Sequence, residues 1–289
     1  MGTRSMVFVI IQFIVFSLNS IYLRDVYLPY DVEVSGRYIY VLMGRNELRM
    51  YNGREMKNLS IGYPSTSKRF LFQYKGKLYL VSTSHKYSYL WRIAQDSAIL
   101  VRDFKYVIQG VFVFNDMLLF AGDSNGYFLH KYNNFKHKSS GVKRRFENKF
   151  NVYLLARGDT IFMTSPDELK FFIIKYPEIT DSLVITHEGC LDTVKVNNKN
   201  IVVRIAGITG IATKDKSISV SFYQYSPEVF RKKAISRSEF KITSESYIFR
   251  YPQRTIQRIS KGRLGIKNIG KRFVVLGMDK IYSLVKEKW

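Results

Sequence analysis

The stretch LFQYKGKLYLVSTSHKYSYLWRI, residues 71–93, contains the pattern that decides the fold. A short alternating run leads into Lys75-Gly76, and an apolar run from Leu78 to Val81 follows. After a polar loop, a second run of alternating residues ends near Trp91. Glycine between two runs rich in aromatic and β-branched residues is typical of a tight hairpin, because glycine adopts positive φ at no steric cost. The stretch therefore predicts antiparallel β-strands.

The same pattern recurs along the chain. A turn residue lies between two strand-like runs at Gly36, Gly76, Asp116, Gly158, Asn198 and Gly270, at intervals of 40, 40, 42, 40 and 72 residues. A strand-like run ending on an aromatic residue follows the first five turns, at Tyr51, Trp91, Tyr132, Tyr176 and Tyr225. Two patterns in step predict a structural repeat of about 40 residues.

Repeats of this length, built from short strands without helical segments between them, predict an all-β β-propeller. The long last interval has two interpretations: a degenerate unit at 227–258, which gives about seven blades, or one long insertion, which gives six. The last copy stops before a full unit is complete. We therefore expect residues 21–34 to complete the last blade, so that the N- and C-terminal segments pair and close the ring. A β-sandwich, or two stacked sandwiches, is the alternative fold.

In this architecture the chain resembles the WD-repeat and kelch-repeat propellers over nearly all of its length after residue 20. No Trp-Asp dipeptide closes a strand, no Gly-His opens one, and the doubled glycines of kelch units are missing. The resemblance thus implies a divergent propeller and carries over no functional residue.

The N-terminus has the form of a secretory signal peptide. A basic start at Arg4 precedes an apolar run over 7–16, and small residues follow at Ser17 and Ser20, after either of which cleavage is expected. This interpretation gives a signal peptide at 1–20, a single propeller domain at 21–289 and a secreted protein without a membrane span. The alternatives are an uncleaved anchor extending to Leu23, or an intracellular protein in which the run is a β-strand.

The charge balance is strongly basic, with 46 Lys and Arg against 23 Asp and Glu, a net charge of +23 and a pI near 9.9. Such a protein attracts anionic partners: a sulfated glycan, a nucleic acid or an acidic protein face. Biased codon usage is the alternative explanation. Cys190 is the only cysteine, so no intramolecular disulfide and no cysteine-rich zinc site can form. We expect no cofactor and no metal, and a monomer.

Two polar connections, residues 131–150 and 226–262, carry dense positive charge. The binding residues predicted within them are Lys143, Arg144, Arg145, Arg231, Lys232, Lys233, Arg254 and Arg258. Grouped lysine and arginine side chains raise the local potential and accelerate the capture of polyanions. The alternative is that these groups form only a solvated surface.

The sequence offers little support for catalysis, so no catalytic residue is assigned. His187, Glu188, Cys190 and Asp192 form the densest group of reactive side chains, and an ordinary loop explains them better than a metal or thiol site. Asp31, Asp103 and Asp192 are candidate carboxylates for a glycosidase pair. The favoured function is a secreted, non-enzymatic binding module. The alternatives are an intracellular WD-like scaffold, associated with nucleic acid in one version, and a propeller glycoside hydrolase with paired carboxylates in its funnel.

Overall fold

The computed structural model describes residues 19–22, 31–43, 47–52, 55–59, 68–94, 97–114, 116–144, 151–165, 169–185, 191–196, 199–204, 206–225, 244–261, 264–269, 272–276 and 280–284. All regular secondary structure in these ranges is β-strand. Within them, no helix is long and apolar enough to cross a membrane.

Five sheets, numbered I to V, each consist of four consecutive antiparallel strands. Sheet I contains β2 (Asp31–Ser35), β3 (Tyr38–Leu42), β4 (Leu48–Tyr51) and β5 (Met56–Leu59). Sheet II contains β6 (Lys68–Tyr74), β7 (Lys77–Thr83), β8 (Ser88–Ala94) and β9 (Ser97–Phe104). Sheet III contains β10 (Gly110–Phe114), β11 (Met117–Ser124), β12 (Tyr127–Asn133) and β13 (Lys136–Gly141). Sheet IV contains β14 (Leu154–Arg157), β15 (Thr160–Ser165), β16 (Lys170–Lys175) and β17 (Glu178–Val184). Sheet V contains β20 (Ala206–Lys214), β21 (Ser217–Tyr225), β22 (Ser244–Tyr251) and β23 (Thr255–Lys261).

The remaining strands form a sixth antiparallel sheet, with strands from both ends of the chain, and a hairpin. Sheet VI contains β24 (Gly265–Ile269), β25 (Arg272–Leu276) and β26 (Lys280–Leu284), and its fourth strand is β1 (Asn19–Tyr22) from the other end of the chain. The strands β18 (Leu191–Val196) and β19 (Lys199–Arg204) pair only with each other among the described residues.

The sheets are arranged radially, which is the β-propeller architecture that the repeat predicted. The first strand of each sheet contacts the first strand of the next, from β2 through β6, β10, β14 and β20 to β24. Each neighbouring pair of sheets also encloses an apolar cluster. These clusters include Leu42 with Leu80, Leu90 with Phe120, Leu129 with Met163, Phe171 with Phe222, Ala212 with Val275, and Val274 with Val32. The core is therefore divided into seams between sheets.

Backbones come unusually close where the inner strands meet. A Cβ on Gly210 of β20 would lie 2.1 Å from the carbonyl oxygen of Ile266 in β24. On Gly110 of β10 it would lie 2.2 Å from the carbonyl oxygen of Val152, just before β14. Only glycine allows this approach, which brings neighbouring sheets together near the axis.

The predicted hairpin turns are confirmed at four positions. Gly36, Gly76, Asp116 and Gly158 lie between the first and second strands of sheets I to IV with φ between 56° and 70°. Asn198 and Gly270 lie outside the described residues.

The prediction of about seven blades is wrong, because the structure has five blades of four consecutive strands. In the described part of the chain, the copy around Asn198 forms only the hairpin β18–β19, without a third or fourth strand. The predicted degenerate unit at 227–258 contains β22 and part of β23, which belong to sheet V. The first turn of sheet V lies at Asp215, with φ 54°, outside the 40-residue spacing. Residues 31–34 begin sheet I, so they do not complete the last blade as expected.

The aromatic pattern holds in part. The second residue of each second strand faces a fixed position of the third strand, occupied in sheets I to V by Tyr51, Ile93, Tyr132, Ile174 and Tyr251. Trp91 and Tyr176 lie two residues away from this position, and Tyr225 ends a second strand. Tyr51 and Tyr132 therefore occupy the equivalent position, as predicted. Trp91, Tyr176 and Tyr225 have the predicted spacing in the sequence but not the equivalent position in their sheets.

Candidate functional site

The first basic connection follows the outer edge of sheet III. Lys136 and Lys138 are exposed on β13, the last strand of this sheet, and Lys143 is exposed just after it. Arg144 is half-buried, with its guanidinium carbon 4.9 Å from the ring centroid of Phe172 in sheet IV. We call these four residues the basic edge. Arg145 lies outside the described residues.

A strained turn and aromatic contacts hold the basic edge in place. Asn134 and Phe135, between β12 and β13, both have positive φ, at 47° and 60°. The backbone N–H of Asn134 donates to the Tyr74 hydroxyl at 3.1 Å, and Lys75 Nζ donates to the Asn134 side chain at 2.7 Å. Both partners belong to sheet II, so the turn is fixed by the neighbouring blade.

The basic edge has no acidic residue in its own segment. From Lys131 to Arg144 the sequence is KYNNFKHKSSGVKR, with five lysines and arginines and no aspartate or glutamate. Lys131 lies with Nζ 3.5 Å from the ring centroid of Tyr176, and burial lowers its pKa below the usual value. The segment itself therefore contributes no acidic side chain, and Asp159, between β14 and β15, interacts with Lys131 from outside it.

The second predicted group is only partly described and is partly neutralised. Arg254 is exposed at the turn between β22 and β23, with φ 55°. Arg258 on β23 binds Glu245 at 2.7 Å. Arg231, Lys232 and Lys233 lie outside the described residues. Arg254 and Arg258 belong to sheet V, so they lie on a different blade from the basic edge of sheet III.

A buried ionic cluster, which the sequence analysis missed, links three inner strands. Lys267 of β24 donates from Nζ to Asp31 Oδ1 at 2.7 Å and lies 3.4 Å from Glu33 Oε2. The same ammonium donates to the carbonyls of Val32 at 3.0 Å and Leu71 at 3.1 Å. Asp31 Oδ2 in turn accepts the backbone N–H of Leu71 at 2.8 Å. The sequence signal that could have indicated this cluster was the alternation of Asp31 and Glu33 with valines in β2.

Burial and charge act in opposite directions on this cluster. Burial raises the pKa of Glu33 above its ordinary value, although Lys267 opposes the shift. Burial alone would lower the pKa of Lys267, but Asp31 and Glu33 together outweigh it and raise that pKa. The ammonium thus stays charged and holds both carboxylates.

The cluster leaves little room for the glycosidase alternative. Asp31 and Glu33 come close enough together to bind one ammonium group, but Lys267 occupies the place between them that a glycosidic oxygen or water would need. Asp103 is exposed on β9, at the outer edge of sheet II. Asp192 lies in the hairpin strand β18, and His187, Glu188 and Cys190 lie outside the described residues.

Two histidines share one serine hydroxyl in sheet III. His130 Nδ1 and His137 Nε2 each lie 2.9 Å from Ser140 Oγ, and His130 Nε2 lies 2.9 Å from the Gly122 carbonyl. Because a carbonyl can only accept, His130 donates from Nε2 and accepts the Ser140 proton at Nδ1. Burial lowers the pKa of His130, which favours this neutral form. The arrangement ties β12 to β13 beneath the basic edge, and among the described residues no group of three or more metal-ligating side chains is placed to hold a metal.

Comparisons with known proteins identify the fold only. No family model matches the sequence, and no curated protein matches it. The chain is similar to YCF48 bound to D1 peptide, at 10% identity and TM-score 0.52, over 90% of this chain and 78% of that one. BamB from Moraxella catarrhalis gives 13% identity and TM-score 0.48, over 89% and 70%. The computationally designed Ika8 protein gives 8% and 0.46, over 88% and 70%. At such low identity, the likeness to YCF48 supports the propeller architecture and transfers no residue.

Proposed function

We propose that this propeller is a secreted, non-catalytic binding module that recognises an anionic macromolecule through its basic edge. A sulfated glycan is the class that suits a secreted protein best. The intracellular scaffold and the hydrolase are less well supported, the latter because Lys267 lies between the neighbouring carboxylates of Asp31 and Glu33.

The observation that carries the proposal is the concentration of exposed lysines on and just after an outer strand. Lys136, Lys138 and Lys143 are exposed in a segment without acidic residues, on a chain with twice as many basic as acidic residues. Contacts between ammonium groups and sulfates or phosphates release condensed counterions, so they bind strongly at low salt and weakly at high salt. A rigid propeller presents such groups without having to order them on binding.

The basic edge gives a testable salt dependence. In the variant K136Q/K138Q/K143Q, we expect weaker binding to heparin and a shallower plot of log K against log salt concentration. By analogy with DNA, each lost contact reduces the slope by roughly 0.9. Affinity would be measured by titration calorimetry or fluorescence anisotropy from about 50 to 300 mM NaCl. Over this range the Debye length shortens by a factor of about two.

The matched control is K77Q/K175Q/K216Q, which removes the same charge from three exposed lysines on sheets II, IV and V. If both triple variants lose affinity equally, binding depends on net charge alone and the basic edge is not the site. If duplex DNA is bound more tightly than heparin at equal salt, the partner class is nucleic acid instead.

We also propose that sheet VI, which joins strands from both ends of the chain, closes the ring, and that the signal peptide is cleaved after Ser17. Three observations support this: β1 pairs antiparallel with β26, Val274 packs with Val32 of sheet I, and Asn268 exchanges two hydrogen bonds with the Thr213 backbone of sheet V. Cleavage after Ser20 would remove half of β1, because Asn19 and Ser20 face Ser283 and Tyr282 in this ladder.

Two N-terminal truncations test this closure. Protein that starts at Leu18 keeps β1, and protein that starts at Leu23 lacks it. We expect the shorter form to melt several degrees lower, because each lost backbone hydrogen bond costs roughly 1 kcal/mol. Each kcal/mol lowers Tm by about 2–4 °C in a domain of 150–250 residues. Equal melting temperatures would contradict closure by β1, and an intact Met1 on the mature protein would contradict secretion.

A further inference from the structure

The outer strand of sheet II exposes an uninterrupted apolar run. Ile99, Leu100 and Val101 on β9 are exposed to 45%, 51% and 42%. β9 pairs with β8 along one edge, and no described strand pairs with its other edge. A bulge at Leu100–Arg102, opposite Leu90–Trp91, interrupts the ladder but leaves the run on the edge.

The described side chains of the other outer strands form no such run. β13 presents Lys136 and Lys138, and the large exposed apolar side chains that the structure describes on β17 and β23 are single, Val184 at 44% and Ile256 at 49%. Charged side chains on an edge strand prevent another chain from pairing with it. The middle of β9 has no such charged side chains. Its outer edge instead offers backbone N–H and C=O groups beside apolar side chains, which is what an added strand requires.

Charge indicates which kind of strand fits. Ser88 faces Phe104 in the β8–β9 ladder, so Lys86, Tyr87 and Lys105 lie at the same end of sheet II. Lys86 and Lys105 are exposed there, and Asp103 is the only acid between Ser97 and Lys105. Two copies of a chain with net charge +23 repel each other, which disfavours edge-to-edge pairing of β9 with itself.

We propose that β9 is the docking strand for an extended segment of a partner protein that is apolar in its middle and acidic at its N-terminal end. The segment adds antiparallel to β9, so that its N-terminal end meets Lys86 and Lys105. Its backbone completes the ladder, and its apolar side chains cover Ile99 and Leu100. This inference concerns another sheet than the basic edge and holds whether or not that edge binds a polyanion.

A synthetic peptide with three acidic residues followed by alternating valine and threonine is the probe. We expect full-length protein to bind it, and the variant I99K/L100K to bind at least tenfold more weakly, as measured by fluorescence anisotropy. The matched control V184K/I256K adds the same two charges to outer strands of sheets IV and V and should bind unchanged. All four positions are exposed, and circular dichroism melts verify that each variant folds.

Two further probes test direction and backbone pairing. A peptide of the same composition with its acidic residues at the C-terminal end should bind more weakly, and K86Q/K105Q should remove that difference. A peptide N-methylated at alternate residues, which cannot donate to a ladder, should not bind. Equal binding of the first peptide by I99K/L100K, or undiminished binding of the N-methylated peptide, overturns the proposal. So does sedimentation that shows a dimer lost in I99K/L100K, since the occupant is then a second copy.

Discussion

Replacing Lys267 with methionine is expected to lower the free energy of unfolding by about 3–5 kcal/mol, the usual cost of removing one partner from a buried ion pair. Methionine fills a similar volume, so the loss arises mainly from the charges left behind. Asp31 and Glu33, whose side chains are only 13% and 10% exposed, would lose their common cation. The carbonyls of Val32 and Leu71 would lose a donor as well. Three inner strands would be loosened by one substitution.

The carboxylate variants should follow a defined order. Asp31→Asn should cost more than Glu33→Gln, because Asp31 makes the shorter contact to Lys267 and also accepts the Leu71 N–H. Burial already disfavours the charged form of Glu33, so neutralising it forfeits less. The double variant K267M/E33Q should be less destabilised than the two single effects predict, since it leaves only one uncompensated carboxylate.

Urea unfolding followed by tryptophan fluorescence measures these differences. The pKa of Lys267 is raised in the folded protein, so its contribution is fully present below the ordinary lysine value near 10.5. It is lost as the pH rises through the raised folded value. A wild-type free energy of unfolding that stays constant up to strongly alkaline pH would contradict the assigned role. A K267M cost below about 1 kcal/mol would contradict it as well, because an exposed ion pair contributes that much.

Phe120→Ala is the second change with a large expected effect, about 3–5 kcal/mol for a fully buried aromatic residue. Phe120 lies in the seam between sheets II and III, with ring centroids 5.3 Å from Phe104, 5.2 Å from Tyr132 and 6.4 Å from Phe72. Truncation removes edge-to-face contacts with Phe72 and Phe104 of sheet II and a tilted contact with Tyr132 of sheet III, and it leaves a cavity between the two sheets. The two blades should therefore separate more easily than the strands within either one.

Tyr127→Ala provides the control, because Tyr127 starts β12 of the same sheet and is 40% exposed. Its effect should stay within about 0.5 kcal/mol, as for most surface substitutions. Amide hydrogen exchange then locates the loss, with faster exchange expected along the seam in the Phe120 variant. Comparable stabilities for the two variants would mean that the seam does not hold the sheets together.

Local chemistry allowed the strand pattern, the propeller architecture and four hairpin turns to be predicted from the sequence. Gly36, Gly76 and Gly158 reach positive φ because glycine lacks a Cβ, and Asp116 does so because aspartate tolerates this conformation, so the signal lies in the residue types themselves. Counting blades failed because spacing was used in place of pairing. The hairpin β18–β19 has the spacing of a blade but not its partners, whereas sheet V has the partners without the spacing.

The positive charge of the basic edge could be predicted because its lysines and arginine are close together in the sequence. The ionic cluster was not, since Asp31 and Lys267 are 236 residues apart and meet only when β24 lies beside β2. The exposed run on β9 could not be recognised either. Its apolar sequence is equally typical of a buried strand, and only the structure shows that no described strand pairs with its outer edge. The sequence by itself determined which segments become strands and turns, through side-chain sterics and alternation. Only the tertiary structure decided which strands are neighbours, because long-range pairing depends on the packing of all the sheets together.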